Sequence, residues 1–143
     1  MTSWRQAHSH DQAGFSLIEA LIALVVLSVG LLGVAALQTQ ALLQSRDAYL
    51  TSQATSLVQD MADRIRANPD AISDYAHTAG SSPPSGSSLA DNDVKDWLAD
   101  LTTTLPQGQA NIVINGREAD ITVTWQEAEG DTNRSTNIVT EIP

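Results

Sequence analysis

Residues 14–37 read Gly-Phe-Ser-Leu-Ile-Glu-Ala-Leu-Ile-Ala-Leu-Val-Val-Leu-Ser-Val-Gly-Leu-Leu-Gly-Val-Ala-Ala-Leu, and this stretch decides the fold. From Ala20 to Leu37 there are eighteen residues without a charge, interrupted only by Ser28, Gly30 and Gly33. Adding Phe15 to Glu19 gives twenty-three residues with one acid, Glu19. At a rise of 1.5 Å per residue such a helix is about 35 Å long, enough to cross a hydrocarbon core of about 30 Å. A soluble helix that is apolar all round needs a larger protein to cover it. A secretory signal peptide has a basic start, an apolar stretch of about 7–15 residues and a small-residue cleavage site. Here the run is longer, lacks an A-x-A close and carries an acid near its start.

The acid sets the problem. An ionised carboxylate in lipid costs a few kcal/mol unless it snorkels to the interface or meets a cation. A plain membrane anchor accommodates Glu19 by snorkelling and assigns it no role. The preceding residues suggest another arrangement. Cleavage after Gly14 would give Phe15 a new α-amino group, with Glu19 about one helical turn further on. In a bundle of like helices, the carboxylate of one chain could then meet the amino terminus of its neighbour. Such pairing lets a charge enter an apolar bundle and fixes the axial register of the subunits.

Gly14 to Gly33 resembles the class III signal and N-terminal helix of type IV pilins and the related pseudopilins. The stretch AYLTSQATSLVQDMADRIRANPD, Ala48 to Asp70, is similar to the minor pilins known as type IV pilus modification proteins, PilV. The resemblance implies a long N-terminal helix packed on a small sheet. It implies cleavage between Gly14 and Phe15 by prepilin peptidase, N-methylation of Phe15, and an assembly role for Glu19. It also implies residence in the inner membrane with a periplasmic C-terminal domain, followed by incorporation into a pilus. The implied partners are membrane lipid, other minor pilins, the major pilin, the inner-membrane assembly platform and, as a candidate, a tip adhesin. In the family such subunits form a priming or tip complex that supports adhesion and twitching motility. Many major pilins staple a C-terminal loop with a cysteine pair; this chain has no cysteine, which counts against a major pilin more than a minor one. Two alternatives remain open at this stage: a minor pseudopilin of a type II secretion system, and a membrane-anchored periplasmic binding module that never polymerises.

The expected organisation is a leader over 1–14, a membrane or filament-core helix over 15–37, its amphipathic continuation over 38–67 and a globular α+β region over 68–143. Leu43, Leu50, Ala54, Leu57, Val58, Met61 and Ile65 recur at helical spacing, and Asp60 precedes Arg64 by four residues, the favourable order for a surface pair. Asn68-Pro69 ends the helix, because the residue before proline is pushed out of the helical region. Unbroken from Phe15 to Ala67, it would run about 80 Å. Gly30 and Gly33 are its softest points, each weaker than alanine by about 1 kcal/mol outside a membrane. Their spacing is not GxxxG and claims no dimer motif.

Gly80 to Ser88 reads as a loop from its Ser, Pro and Gly content. Val94, Trp97, Leu98, Leu101 and Leu105 predict a short amphipathic helix ending at Pro106, with Asp91 or Ser88 as N-cap. Asn111–Ile114 and Arg117–Gln126 predict two strands joined by a turn at Asn115-Gly116, and a last strand falls near Thr136–Ile142. In the second strand Ile121, Val123 and Trp125 alternate with polar residues, so one face is buried. The fold class is α+β: the long helix packed on a small antiparallel sheet.

The chain is acidic, with seventeen Asp and Glu against seven Lys and Arg and a formal charge of -10. A nucleic-acid partner needs a basic stripe, so that class is excluded. No cysteine means no disulfide scaffold, thiolate zinc site or catalytic thiol. No nucleophile–base arrangement or phosphate-binding glycine loop is visible, and no cofactor or catalytic residue is assigned. His77, beside a Ser/Gly loop, is expected to be solvent-exposed. Asp91-Asn92-Asp93-Val94-Lys95-Asp96 falls short of a calcium loop, with lysine at a ligand position and the required glycine missing. The acids Glu127, Glu129 and Asp131 around Gly130 read as a charged turn. His8 and His10 lie in the segment expected to be removed, so no metal site is assigned.

Overall fold

The computed structural model describes residues 16–127 and 133–143. Gly14, Phe15, His8, His10, Glu129, Gly130 and Asp131 lie outside them. The chain divides into two compact units at Gln40/Ala41. The first helix, α1, spans Leu17–Ala67, carrying Glu19 in its first turn and Arg64 and Arg66 in its last. Both ends therefore match the helix dipole, with negative charge near the free N–H groups and positive charge near the free carbonyls. As the Asn68-Pro69 pair predicts, the helix stops at Ala67, and Asn68 leaves helical geometry at φ -133°, ψ 60°. Pro69 then opens a 3-10 segment, Pro69–Tyr75, at a position where the missing N–H costs nothing.

Ala41–Pro143 contains the core. Leu50, Ala54, Val58, Met61, Ala62 and Ile65 form the buried stripe of α1, and Leu43 and Leu57 are half-buried. Helix α2, Leu89–Thr104, turns Val94, Trp97, Leu98 and Leu101 inward. Ser88 is its N-cap, and Asp91 is the reciprocal partner three residues on. The Ser88 hydroxyl receives the Asp91 N–H at 3.0 Å, while the Asp91 carboxylate receives the Ser88 N–H at 3.1 Å. Both residues named for the cap thus belong to one capping box. The Ser88 hydroxyl also donates to the Asp91 carboxylate at 2.6 Å, and this bond first, then the one from the Ser88 N–H, holds the Asp91 carboxyl below its ordinary range.

Three strands follow: β1 Gln109–Asn115, β2 Glu118–Gln126 and β3 Asn133–Glu141, all antiparallel with β2 in the centre. Register places Ile112, Ile121 and Ile138 in one row on the face that meets the core, with Ala110 and Val123 in the next. The opposite face is mostly polar, with exposed Val113 and Val139 flanking Asp120, and there Asn137 donates to Asp120 and, at 3.2 Å, to Thr122. The hairpin corrects the expected turn by one residue. Asn115 pairs with Glu118, so the two-residue loop is Gly116-Arg117. Only Gly116 has positive φ, 65°, the type II′ pattern with glycine first.

Specific polar contacts tie the layers together. The Trp97 indole N–H donates to the Leu57 carbonyl at 2.8 Å, joining α2 to α1. Arg64 pairs with Asp60 at 2.9 Å and reaches Asp93 at 3.4 Å, while the Tyr75 hydroxyl donates to Asp93 at 2.7 Å. Burial foremost, with the Asp93 carboxylate beside it, raises Tyr75 above the usual phenol range. Arg66 reaches the Thr140 hydroxyl on β3. His77 is buried rather than exposed, contrary to the sequence expectation. Its backbone exchanges two hydrogen bonds with Ile112, at 3.0 and 2.8 Å, and so covers the outer edge of β1. This non-local pairing has no trace in the residues flanking His77.

Candidate functional site: the N-terminal apolar helix

Ser16 begins the described chain, and its carbonyl receives the Ala20 N–H at 3.2 Å. Leu17 is therefore the first helical residue and Glu19 the third, within the first turn. Ser16-Leu17-Ile18-Glu19 has the S-x-x-E form of a capping box, an ordinary helix-starting signal that by itself makes an acid at this position favourable. Snorkelling and capping both explain why Glu19 is tolerated. Neither explains what surrounds it.

Every described residue from Ser16 to Leu42 is exposed in the isolated chain. The most apolar eighteen-residue window of α1 has a mean hydropathy of 2.8, and none of it is buried. A core helix of a soluble protein would be covered by its own chain; this one is not. The hydroxyls of Ser28 and Thr39 are satisfied along the helix itself. Ser28 donates to the Leu24 carbonyl at 2.6 Å, and Thr39 to the Ala35 carbonyl at 3.1 Å. Hydroxyls bonded back to the preceding turn need no water, so they can enter an apolar environment. Glu19 is the one ionisable residue between Ser16 and Ser45, and among the described residues no hydrogen bond reaches its carboxylate.

Spacing adds a relation that composition does not show. At about 100° per residue, Glu19, Ala23, Gly30 and Gly33 fall within roughly 80° of one another around the helix. A Cβ added at Gly30 or Gly33 would meet nothing within 4 Å. Neither glycine is required by packing within this chain. Small residues on one face permit another helix to approach closely, and the face they open is the one that carries the carboxylate. The signal was available in the eleven- and fourteen-residue intervals from Glu19 to the two glycines.

Elsewhere several acids have structural occupations. Asp91 caps α2, Asp93 accepts from Tyr75 and Arg64, and Glu127 pairs with Arg134. Among the described residues no three His, Asp or Glu side chains gather in a metal-binding group.

Two family models match the chain over adjoining stretches. The prokaryotic N-terminal methylation motif covers residues 9–35, which hold Gly14, Phe15 and Glu19. The Tt1218-like family, described as type IV pilin Tt1218, covers residues 36–94, from the second half of α1 into α2. The sheet lies beyond both. No curated protein and no solved structure matches the chain. With an exposed apolar helix under the first match and the amphipathic half of that helix under the second, the two matches together support a type IV pilin.

Proposed function

We propose that this pilin is a minor subunit, similar to PilV, that is processed by prepilin peptidase and helps to start a type IV pilus. Cleavage falls between Gly14 and Phe15, and the new Phe15 amine is methylated. An α-amino group has an ordinary pKa of about 8 and is mostly protonated at neutral pH, and methylation keeps its charge. Glu19 of one subunit pairs with that cation on the next, which removes the penalty of carrying a lone carboxylate into an apolar bundle. Before assembly the helix lies in the inner membrane with the globular unit in the periplasm. The assembly platform then transfers it to a bundle with other minor pilins and the major pilin, and a tip adhesin is a candidate neighbour. Pilus-dependent adhesion and twitching motility are the downstream activities.

The observation that carries this reading is the position of Glu19: one ionisable group in the first turn of a wholly uncovered apolar helix, on the face that also bears Gly30 and Gly33. The processing step is tested by mass spectrometry of the mature N-terminus in cells with and without prepilin peptidase. The expected mature chain begins at N-methylated Phe15 and reverts to the precursor when the peptidase is deleted. A chain that retains residues 1–14 in peptidase-positive cells refutes the assignment. Co-purification with secretion components in place of pilins would move the protein to the type II pseudopilins.

A further inference from the structure

A cavity of about 300 Å³ opens between α2, the beginning of β1 and the loop that follows His77. Leu98, Ala99, Ala110 and Pro83 supply apolar surface; Ser81, Thr102 and Gln109 are neutral polar neighbours, and His77 and Lys95 are the titratable groups. The volume is at the lower end of the range for small-ligand sites.

His77 is 8% exposed, and its ring chemistry can be worked out from its neighbour. Nδ1 lies 3.4 Å from the Ser81 hydroxyl oxygen. The Ser81 hydroxyl already donates to the Thr78 carbonyl at 2.6 Å, so towards the ring it can only accept. Nδ1 therefore carries the proton. Burial lowers the His77 pKa below its ordinary value, and the ring is neutral at pH 7. Nε2 is left as a bare acceptor, with no hydrogen-bond donor reaching it among the described residues. The other titratable group is the one lysine of the chain, Lys95. No carboxylate lies within 4 Å of it among the described residues; its charge reaches the Asp91 carboxylate, four residues earlier on α2, which is already held by Ser88.

An occupant that suits all three features offers an N–H or O–H to Nε2, a negative charge to Lys95 and a small apolar group to Leu98 and Ala99. Among the described residues no Trp, Tyr or Phe lines the cavity to offer the stacking platform common in sugar sites. The last residue of a peptide combines the required groups within a few ångströms: an amide N–H, a carboxylate and a side chain. We propose that this cavity binds the free C-terminus of a peptide ending in an apolar residue, with the carboxylate at Lys95 and the last N–H at His77 Nε2. The proposal stands on the globular unit alone and does not depend on processing or polymerisation.

The test is titration of the full-length protein in detergent micelles with N-acetyl-Ala-Leu, read by calorimetry and by NMR of the His77 ring and the Lys95 amide. Saturable heat with shifts at both residues is expected. The C-terminal amide should bind about two- to fivefold more weakly, the scale of an exposed ion pair. The N-methyl-leucine analogue, which lacks the N–H, should bind about tenfold more weakly or worse, because the acceptor stays unpaired. Lys95→Gln should reproduce the effect of amidation without lowering the melting temperature, since Lys95 is exposed, and Ala99→Phe should block binding. No saturable signal, equal binding of the free acid and both analogues, or preferential binding of glucuronate at the same residues would each overturn the proposal.

Discussion

The turn between α2 and β1 gives a test in which adjacent residues should respond in different ways. Gly108 donates its N–H to the Leu105 carbonyl at 3.1 Å, closing Leu105-Pro106-Gln107-Gly108. Gln107 takes the positive φ, 50°, at the third position, where a type II turn favours glycine. The glycine stands one place later because packing requires it there. A Cβ on Gly108 would lie 2.6 Å from Leu101 Cδ2 and 3.1 Å from both the Leu101 carbonyl oxygen and Leu105 Cβ. Leu101 and Leu105 are 0% and 1% exposed, so neither has open space to retreat into. Overpacking of this kind costs about 1–3 kcal/mol. At about 4–8 °C per kcal/mol for a domain of this size, Gly108→Ala should lower the melting temperature by roughly 5–20 °C. Gln107→Gly relieves about 1–2 kcal/mol of left-handed strain but frees the unfolded chain by about 0.5–1 kcal/mol, so it should be neutral to mildly stabilising. Near-UV circular dichroism through a thermal ramp, with Trp97 and Trp125 as reporters, measures both variants. A Gly108→Ala protein that melts with the parent, or a Gln107→Gly protein that loses as much, refutes the packing argument.

Replacing Glu19 with Ala should leave the membrane-fraction level unchanged or raised while reducing the protein in sheared pili; an immunoblot showing normal pilus incorporation would leave snorkelling as the sufficient account. Ser88→Ala removes one half of the capping box and should cost about 1 kcal/mol, read as a lower denaturation midpoint with unchanged slope. His77 favours its neutral form when folded, so the unfolded chain binds the proton first. Stability should therefore fall as pH drops below about 6.5 towards the lowered native value, and His77→Gln should flatten that part of a melting-temperature profile between pH 7.5 and 5.

How much of this was legible in the sequence depends on whether the deciding contact is local. The course of α1 was legible because an uncharged run, a helical stripe from Leu50 to Ile65 and the stop at Pro69 all act within a few residues of one another. The hairpin was legible in outline and displaced in detail. Asn115-Gly116 and Gly116-Arg117 are both acceptable two-residue loops, and the registers they imply differ by two residues, so each turns the same side chains inward. The observed register sets Ile112 opposite Ile121, whereas the alternative sets it opposite Ala119, and turn residues alone carry no information about that packing. The segment Pro69–Tyr75 was not legible, since a few turns of 3-10 helix leave no periodic signal. His77 was misread as exposed because its burial follows from pairing with Ile112, thirty-five residues away.

The apolar helix poses a different question, since its energetics are incomplete within one chain. Thirteen large apolar side chains from Leu17 to Leu37 are more than half exposed. At 1.5–3 kcal/mol for full burial of each, with roughly two thirds of each side chain still to cover, covering them is worth on the order of 10–25 kcal/mol, comparable with the stability of a whole domain. Lipid and a bundle of similar helices supply that burial about equally well. The hydrophobic term therefore drives the helix out of water but discriminates little between membrane and filament. Discrimination must come from groups that distinguish hydrocarbon from protein. On the proposed assembly route Glu19 would gain its counter-charge from another chain, and Gly30 and Gly33 would gain dispersion contacts from a surface stiff enough to fill the space they leave. The few residues that interrupt the apolar run are thus the ones able to make its transfer directional.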